Sequence, residues 1–117
     1  MPAERIIDGN DLAFVVADAF PVSPGHALII SRRHVADFFA LTEVELMALN
    51  ELLRSARNRL LERLRPDGFN VGVNVGVASG QTVDHVHVHL IPRFFGDMEA
   101  PEGGIRNVIP RKGPYRT

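Results

Sequence analysis

The chain has 117 residues, 45% of them hydrophobic, which suits one domain with its own core. Its 13 basic and 14 acidic residues nearly cancel, which excludes a general electrostatic attraction to nucleic acid or to an anionic membrane. The absence of cysteine excludes disulfides, thiolate metal sites and cysteine nucleophiles. Without a signal-peptide-like or membrane-spanning apolar run, we expect a single cytoplasmic domain over residues 1–117.

The first third of the chain predicts two strands separated by a loop. Residues 12–17, LAFVVA, form an apolar run typical of a buried strand. Residues 20–25 contain two prolines and a glycine, which break regular structure and predict a loop. Residues 26–31, HALIIS, are rich in branched side chains and predict a second strand, and residues 34–40 suggest a helical turn.

One long helix is predicted in the middle of the chain. Thr42 and Glu45 have the spacing of a capping box, in which each side chain accepts a hydrogen bond from the other residue's backbone amide. Pro66 disfavours helical geometry at Arg65, so the helix should end near there, and Gly68 should help to turn the chain. The apolar stripe that follows the cap consists of Leu46, Leu49, Leu53, Ala56, Leu60 and Leu64, widened by Leu52 and Leu61.

Two further strands are predicted after the helix, at residues 69–77 and 83–91. The connection between them, residues 78–82, is short, which favours an antiparallel pair. Residues 94–117 form an extended tail rich in glycine, proline and charge. Within that tail, residues 105–109 are the best candidate for an extended piece.

Alternation along these two strands divides their side chains between two faces of a sheet. The second strand, in the sequence DHVHVHLIPR, places valine and leucine on one face and three histidines, His85, His87 and His89, on the other. The first strand likewise separates its valines from Asn70, Gly72, Asn74 and Gly76. When both aliphatic sets pack under the helix, histidine, asparagine and glycine share the opposite face. Glycine in a strand often marks close approach to the backbone, so this face predicts a small-molecule site.

Clustered histidines are typical of metal sites or of nucleophilic catalysis. At about 3.3 Å per residue, His85 and His89 lie about 13 Å apart along the strand, too far to share one zinc ion. A pair of histidines with His26 or a carboxylate could still bind a metal, and that alternative stays open. An unprotonated imidazole is also a good nucleophile toward phosphorus near neutral pH. His87, with polar neighbours on both sides, is the candidate nucleophile, and His85 and His89 are its positioning and electrostatic partners.

Negative charge that develops on a phosphate requires hydrogen-bond donors. Candidate donors lie in the loop before the histidines and on the neighbouring strand, and they are Asn74, Ser79, Gln81, Thr82 and the backbone amides around Gly80.

The stretch SGQTVDHVHVHLIPR resembles the signature of the histidine triad (HIT) superfamily, and so do two upstream segments, PVSPGHALIISRRHV and NVGVNVGVASGQTV. The resemblance covers residues 12–93. It implies an α+β fold in which a five-stranded antiparallel sheet packs on one long helix, together with a short helix. It also implies a homodimer with one continuous sheet and a reaction that needs no metal or other cofactor.

The family's activity implies a nucleotidyl hydrolase or transferase that acts at the α-phosphate of a nucleotide. His87 would form a nucleotidyl-histidine intermediate, and His85, His89 and His26 would shape the phosphate site. Gln81 and Thr82 would bond to the phosphate and leaving group. Asp18 matches the residue that reaches the ribose hydroxyls, and Asn74 matches a phosphate-side asparagine.

The chain resembles the bacterial members of this superfamily. Two enzyme branches of the superfamily remain as alternatives for its activity. One branch cleaves dinucleoside polyphosphates, and the Gln-Thr-Val before the triad and the Ile-Pro-Arg after it favour this branch. The other cleaves nucleoside phosphoramidates such as adenylated lysine, but its tryptophan-containing C-terminus is absent, since the chain has no tryptophan. A module that binds nucleotides without turnover is a third hypothesis.

Overall fold

A computed structural model describes residues 5–110 as an antiparallel five-stranded sheet with one long helix on one face. The strands are β1 (Ile6–Gly9), β2 (Ala13–Ala17), β3 (Ala27–Ser31), β4 (Gly68–Gly72) and β5 (His87–Arg93), and the helix is α1 (Glu43–Arg63). The order across the sheet is β1-β2-β3-β5-β4. This is the α+β fold that the resemblance implies. The expected short helix is a 3-10 turn at Phe38–Ala40. Residues 1–4 and 111–117 of the expected domain and tail lie outside the described residues.

The pairing of β3 with β5 assigns the two faces of the sheet. Ile29 lies opposite Val88, and both are buried in the core beneath α1. Ile30 lies opposite His87, on the other face. Because neighbouring residues of a strand alternate between faces, the predicted separation of His87 and His89 from Val88 and Leu90 is confirmed within β5.

The buried stripe of α1 is centred differently from the predicted one. Leu49, Leu52 and Ala56 are buried, whereas Leu46 and Leu53, which we expected in the stripe, are more exposed. Leu52, expected only at the margin, is 3% exposed and belongs to the core cluster. The spacing of the leucines is compatible with two overlapping apolar stripes on the helix. The packing of α1 on β2 and β3 determines which stripe is buried.

The helix begins at the predicted capping box. The Thr42 side chain accepts from the Glu45 amide, and the Glu45 carboxylate accepts from the Thr42 amide. The helix ends at Arg63, close to the expected position. The turn that follows is made by Arg65, which has a left-handed φ of 51°, and not by Gly68, which is the first residue of β4.

Several predicted boundaries were wrong. β4 stops at Gly72 instead of continuing to residue 77, and Val77 begins a 3-10 turn, Val77–Ser79. β5 begins at His87, so residues 83–86 belong to the approach to the strand. The alternating valines continue past Gly72 without a partner strand, and alternation without pairing does not make a strand.

Two further elements differ from the sequence predictions. β1 was not predicted from residues, because IIDG is short and lacks a clear alternation. Residues 105–109, expected to be extended, lie mostly in a 3-10 turn, Gly104–Val108, that packs against β4.

Among the described residues, no helix combines the length and the apolar character that a membrane span needs.

Candidate active site

His87 and His89 lie on the sheet face that α1 leaves uncovered, and contacts connect the other three histidines of the chain to them. The ring centroids of His87 and His89 are 5.2 Å apart, and those of His89 and His26 are also 5.2 Å apart. His85, just before β5, has its ring 4.9 Å from that of His34. The predicted shared face is confirmed for His87 and His89, whereas His85 lies outside the strand.

The hydrogen bond of His87 fixes which of its nitrogens can react. Its Nδ1 lies 2.8 Å from the carbonyl oxygen of His85. A carbonyl only accepts, so this nitrogen carries the proton, and the Nε2 lone pair of the neutral ring is free. His85 is held in the same way, since its Nε2 donates to the carbonyl of Ser31 at 2.6 Å. Both rings are thus oriented by backbone atoms.

A second chain of hydrogen bonds fixes the protons of His26 and His89. The amide of Val22 donates to His26 Nδ1 at 3.2 Å, so the proton of a neutral His26 is on Nε2. That nitrogen lies 2.9 Å from His89 Nδ1 and 3.4 Å from a carboxylate oxygen of Asp18. His89 therefore accepts at Nδ1 and carries its own proton on Nε2.

Burial favours the neutral form of both rings. His26 is 4% exposed, and burial lowers its pKa more than the nearby Asp18 carboxylate raises it. Burial also lowers the pKa of His89, and the charges that His87 and His26 would carry lower it further. Neutral imidazoles are what the tautomer assignment requires, so geometry and electrostatics agree.

Asp18, His26 and His89 could also be considered as metal ligands. Among residues 5–110 they are the one group of side chains whose donor atoms, all within 4.8 Å of one another, could surround an ion. The hydrogen bonds favour a different use. The His26 Nε2 atom that would bind the ion holds a proton, because Val22 occupies Nδ1. The distance of 2.9 Å between His26 and His89 is also shorter than the about 3.3 Å expected between two nitrogens of a tetrahedral zinc site.

The loop before β5 is organised around the side chain of Gln81. Its Oε1 accepts from the Gly76 amide at 2.8 Å, and its Nε2 donates to the carbonyls of Ala36 at 2.9 Å and Val83 at 3.1 Å. Gly76 has a left-handed φ of 86°, which explains its glycine without any approaching ligand. Gln81 thus joins three segments of backbone beside the histidines.

The other predicted phosphate donors are exposed residues of this loop. They are Asn74, Ser79, Gly80 and Thr82. The amides of Ser79, Gly80 and Gln81, which we expected to face a phosphate, donate to carbonyls of Gly76 and Val77 within the turn. Ser79 Oγ also donates to the Gly76 carbonyl, at 2.7 Å. Arg93 is bound by Asp97 and Asn70.

Sequence reasoning missed three contributors to this site. His34 packs edge-on against His85, the amide of Val22 sets the His26 tautomer, and the carbonyl of Ser31 orients His85. Two of these act through backbone atoms, which leave no residue pattern to detect. His34 becomes visible only once the chain after β3 is placed beside the start of β5.

A HIT domain model matches residues 2–96 of the chain. The chain is 34% identical over 93 residues to a protein of Mycobacterium tuberculosis named AP-4-A phosphorylase, which covers 79% of this chain and 48% of that protein. It is 38% identical over 85 residues to an uncharacterized HIT-like protein of Mycoplasma pneumoniae, covering 73% of this chain and 59% of the relative. The chain thus spans about half to three fifths of the length of these relatives.

A solved structure of similar fold is a HIT family protein from Bacillus anthracis. It has a TM-score of 0.76 and 32% sequence identity, and the match covers 81% of this chain and 69% of that one. With the domain match, the sheet order and the row of histidines, these findings show that the chain belongs to the HIT family.

Proposed function

We propose that this protein is a nucleotidyl hydrolase that cleaves at the α-phosphate of dinucleoside polyphosphates or related adenosine nucleotides. The observation that carries the proposal is the hydrogen bond from His87 Nδ1 to the carbonyl of His85, because it leaves Nε2 free to attack phosphorus. The relative named AP-4-A phosphorylase supports the choice of substrate class.

The proposed reaction has two displacements. His87 Nε2 attacks the α-phosphorus, a P–N bond forms, and the bond to the leaving oxygen breaks with its electron pair. The Nε2–H group of His89 donates a hydrogen bond to that oxygen, which leaves as a phosphate anion and takes no proton from the ring. Water then attacks the same phosphorus, the P–N bond breaks, its electron pair returns to His87, and the proton of the water passes to solvent.

The remaining residues would bind and position the nucleotide. Asp18, held near His26, would accept from the ribose hydroxyls. Because Asp18 follows β2 beside the start of β3, this role would put the nucleoside on the β2–β3 side of the histidines. The 74–82 loop would contact the phosphates and the leaving group through the exposed side chains of Asn74 and Thr82. Ser79, Gly80 and Gln81, which we expected to bind phosphate directly, would hold the loop in shape, because their donors already bond to backbone carbonyls. This scheme assigns no step to a metal or other cofactor.

The test compares turnover of a dinucleoside tetraphosphate and an adenosine phosphoramidate in the presence of a chelator. The proposal predicts hydrolysis of the tetraphosphate in chelator. His87→Asn should lower kcat by about a thousandfold or more and still bind AMP, since asparagine keeps polar contacts but cannot attack.

Three results would redirect the proposal. Preferential turnover of the phosphoramidate would assign the other branch. Tight AMP binding with no turnover of either compound would make the protein a binding module. Loss of activity in chelator with recovery on zinc addition would make it a metalloenzyme.

We further propose that the protein is a cytoplasmic homodimer in which the sheet continues from one copy to the next through β4. This strand is at the edge of the sheet, and Val71 on it is 46% exposed. Leu46 of α1 is 37% exposed beside the cavity that Val71 also lines. An unpaired strand edge beside apolar side chains favours pairing with a second copy, which sedimentation equilibrium would report as twice the mass of one chain.

A further inference from the structure

The chain returns to the histidine face after β5 and covers part of it. The 3-10 turn Gly104–Val108 packs against β4. A Cβ atom added to Gly72 would lie 3.6 Å from Cδ1 of Ile105. Gly72 is the partner of His89 across the β4–β5 pair, and partners in an antiparallel pair point to the same face. Ile105 therefore lies on the same side of the sheet as the triad, filling the space where a bare glycine surface was expected.

A charged pair anchors the start of this covering segment. Arg93, at the end of β5, donates from Nε and Nη2 to both carboxylate oxygens of Asp97, each at 2.8 Å. This pairing holds the pKa of Asp97 at about 2, so the pair is intact at neutral pH. Arg93 also donates to Asn70 of β4 at 2.6 Å. The segment that follows is thus tied through Asp97 to the end of β5, and the same arginine joins β5 to β4.

The contact with β4 continues at the beginning of the turn. A Cβ atom added to Gly104 would lie 3.4 Å from Nδ2 of Asn70, so the backbone at Gly104 lies close against β4. Ile105 keeps 56% of its surface exposed although it packs on Gly72. An apolar side chain that is fixed on one side and exposed on the other forms a wall beside the open part of the face.

The wall lies opposite the proposed position of the nucleoside. Asp18 and His26 lie on the β2–β3 side of His89, whereas Ile105 lies on its β4 side. The nucleoside and the leaving group are different substituents of one phosphorus, so they diverge from it. If the nucleoside occupies the β2–β3 side, the leaving group extends across β5 toward β4 and Ile105.

We propose that Ile105 is a specificity-determining residue that packs against the leaving group and favours one with an aromatic part, such as a second nucleoside, over inorganic pyrophosphate. This inference rests on the proposed nucleotidyl hydrolase function. An aliphatic side chain offers a base surface to pack against and offers no hydrogen bond to a phosphate.

The test measures kcat/KM for a dinucleoside tetraphosphate and for ATP, which share the adenylyl group and differ in the leaving group. Ile105→Ser should lower the ratio of the two values about tenfold, because a lost apolar contact in a pocket typically changes discrimination by this order. Ile105→Leu should preserve the ratio. Val108→Ser is the matched control, since Val108 is on the same turn and is 74% exposed.

An independent readout is the δ1 methyl resonance of Ile105 in the His87→Asn variant. Addition of the dinucleoside tetraphosphate should shift this resonance, and addition of AMP should leave it in place. The inference is overturned if the wild type turns over substrate but Ile105→Ser leaves the ratio of the two kcat/KM values unchanged. It is also overturned if both ligands shift the methyl resonance equally. Either result leaves the hydrolase proposal standing. Absence of turnover by the wild type contradicts both.

Discussion

The proton on His89 is positioned by a backbone amide on the far side of the site. Val22 donates to His26, which then holds its proton toward His89, so a peptide group decides which nitrogen of His89 can donate. His87 is controlled by the carbonyl of His85 in the same manner. Residue identity therefore supplies the imidazoles, and the backbone around them supplies their chemical roles.

Stability should depend on pH through the buried rings. An unfolded histidine binds a proton below about pH 6.5, whereas His26 and His89 in the folded chain have lowered pKa values and bind it only in more acid solution. Their contribution to folding is complete above about pH 6.5 and is lost as the pH falls through the folded pKa values. Urea unfolding at about pH 7.5 and 5.5 measures this loss.

The His26→Gln variant isolates the effect of one ring. It should lose less stability than the wild type between the two pH values, because glutamine does not titrate. His34→Gln, at an exposed position, should follow the wild type. Identical losses in all three proteins would show that the lowered pKa of His26 does not contribute.

The conformation of the loop before β5 depends mainly on the side chain of Gln81. Gln81 makes three hydrogen bonds to backbone atoms, at Gly76, Ala36 and Val83. We expect Gln81→Ala to raise amide hydrogen exchange at Gly76 by about tenfold in the absence of any nucleotide, which corresponds to one lost hydrogen bond. Thr82→Val, at the next and exposed position, is the control.

If Gln81 only contacts substrate, exchange in the free Gln81→Ala protein will match that of the wild type. If it positions the loop, exchange will rise and kcat will fall together. The comparison separates the role expected from the family resemblance from the one that the contacts support.

At the scale of elements, the sequence predicted the features that depend on contacts between residues close in the chain. The capping box at Thr42 and the end of α1 depend on residues close in sequence, and both were predicted. The end of β4 at Gly72 depends on where its partner β5 stops pairing, and the fold of Gly104–Val108 depends on contact with β4. Such long-range contacts are not visible in alternation, so these two predictions were wrong.

At the scale of the whole molecule, the order of strands in the sheet surrounds the alternating histidines with the other residues of the site. β5 lies between β3 and β4, so its histidines have His26 on one side and Ile105 on the other. The sequence predicted the row of imidazoles and the face it occupies. It did not predict that the chain's own tail covers Gly72, because residues far apart in sequence meet there.

The covalent role of His87 is the central claim, and the stereochemical course at phosphorus tests it most directly. The measurement uses a dinucleoside polyphosphate with a chiral phosphorothioate at the α-phosphorus, hydrolysed in ¹⁸O-labelled water. Attack by His87 followed by attack by water inverts phosphorus twice, so the account predicts net retention of configuration in the thiophosphate product. Net inversion would mean that water attacks directly, and it would contradict the account.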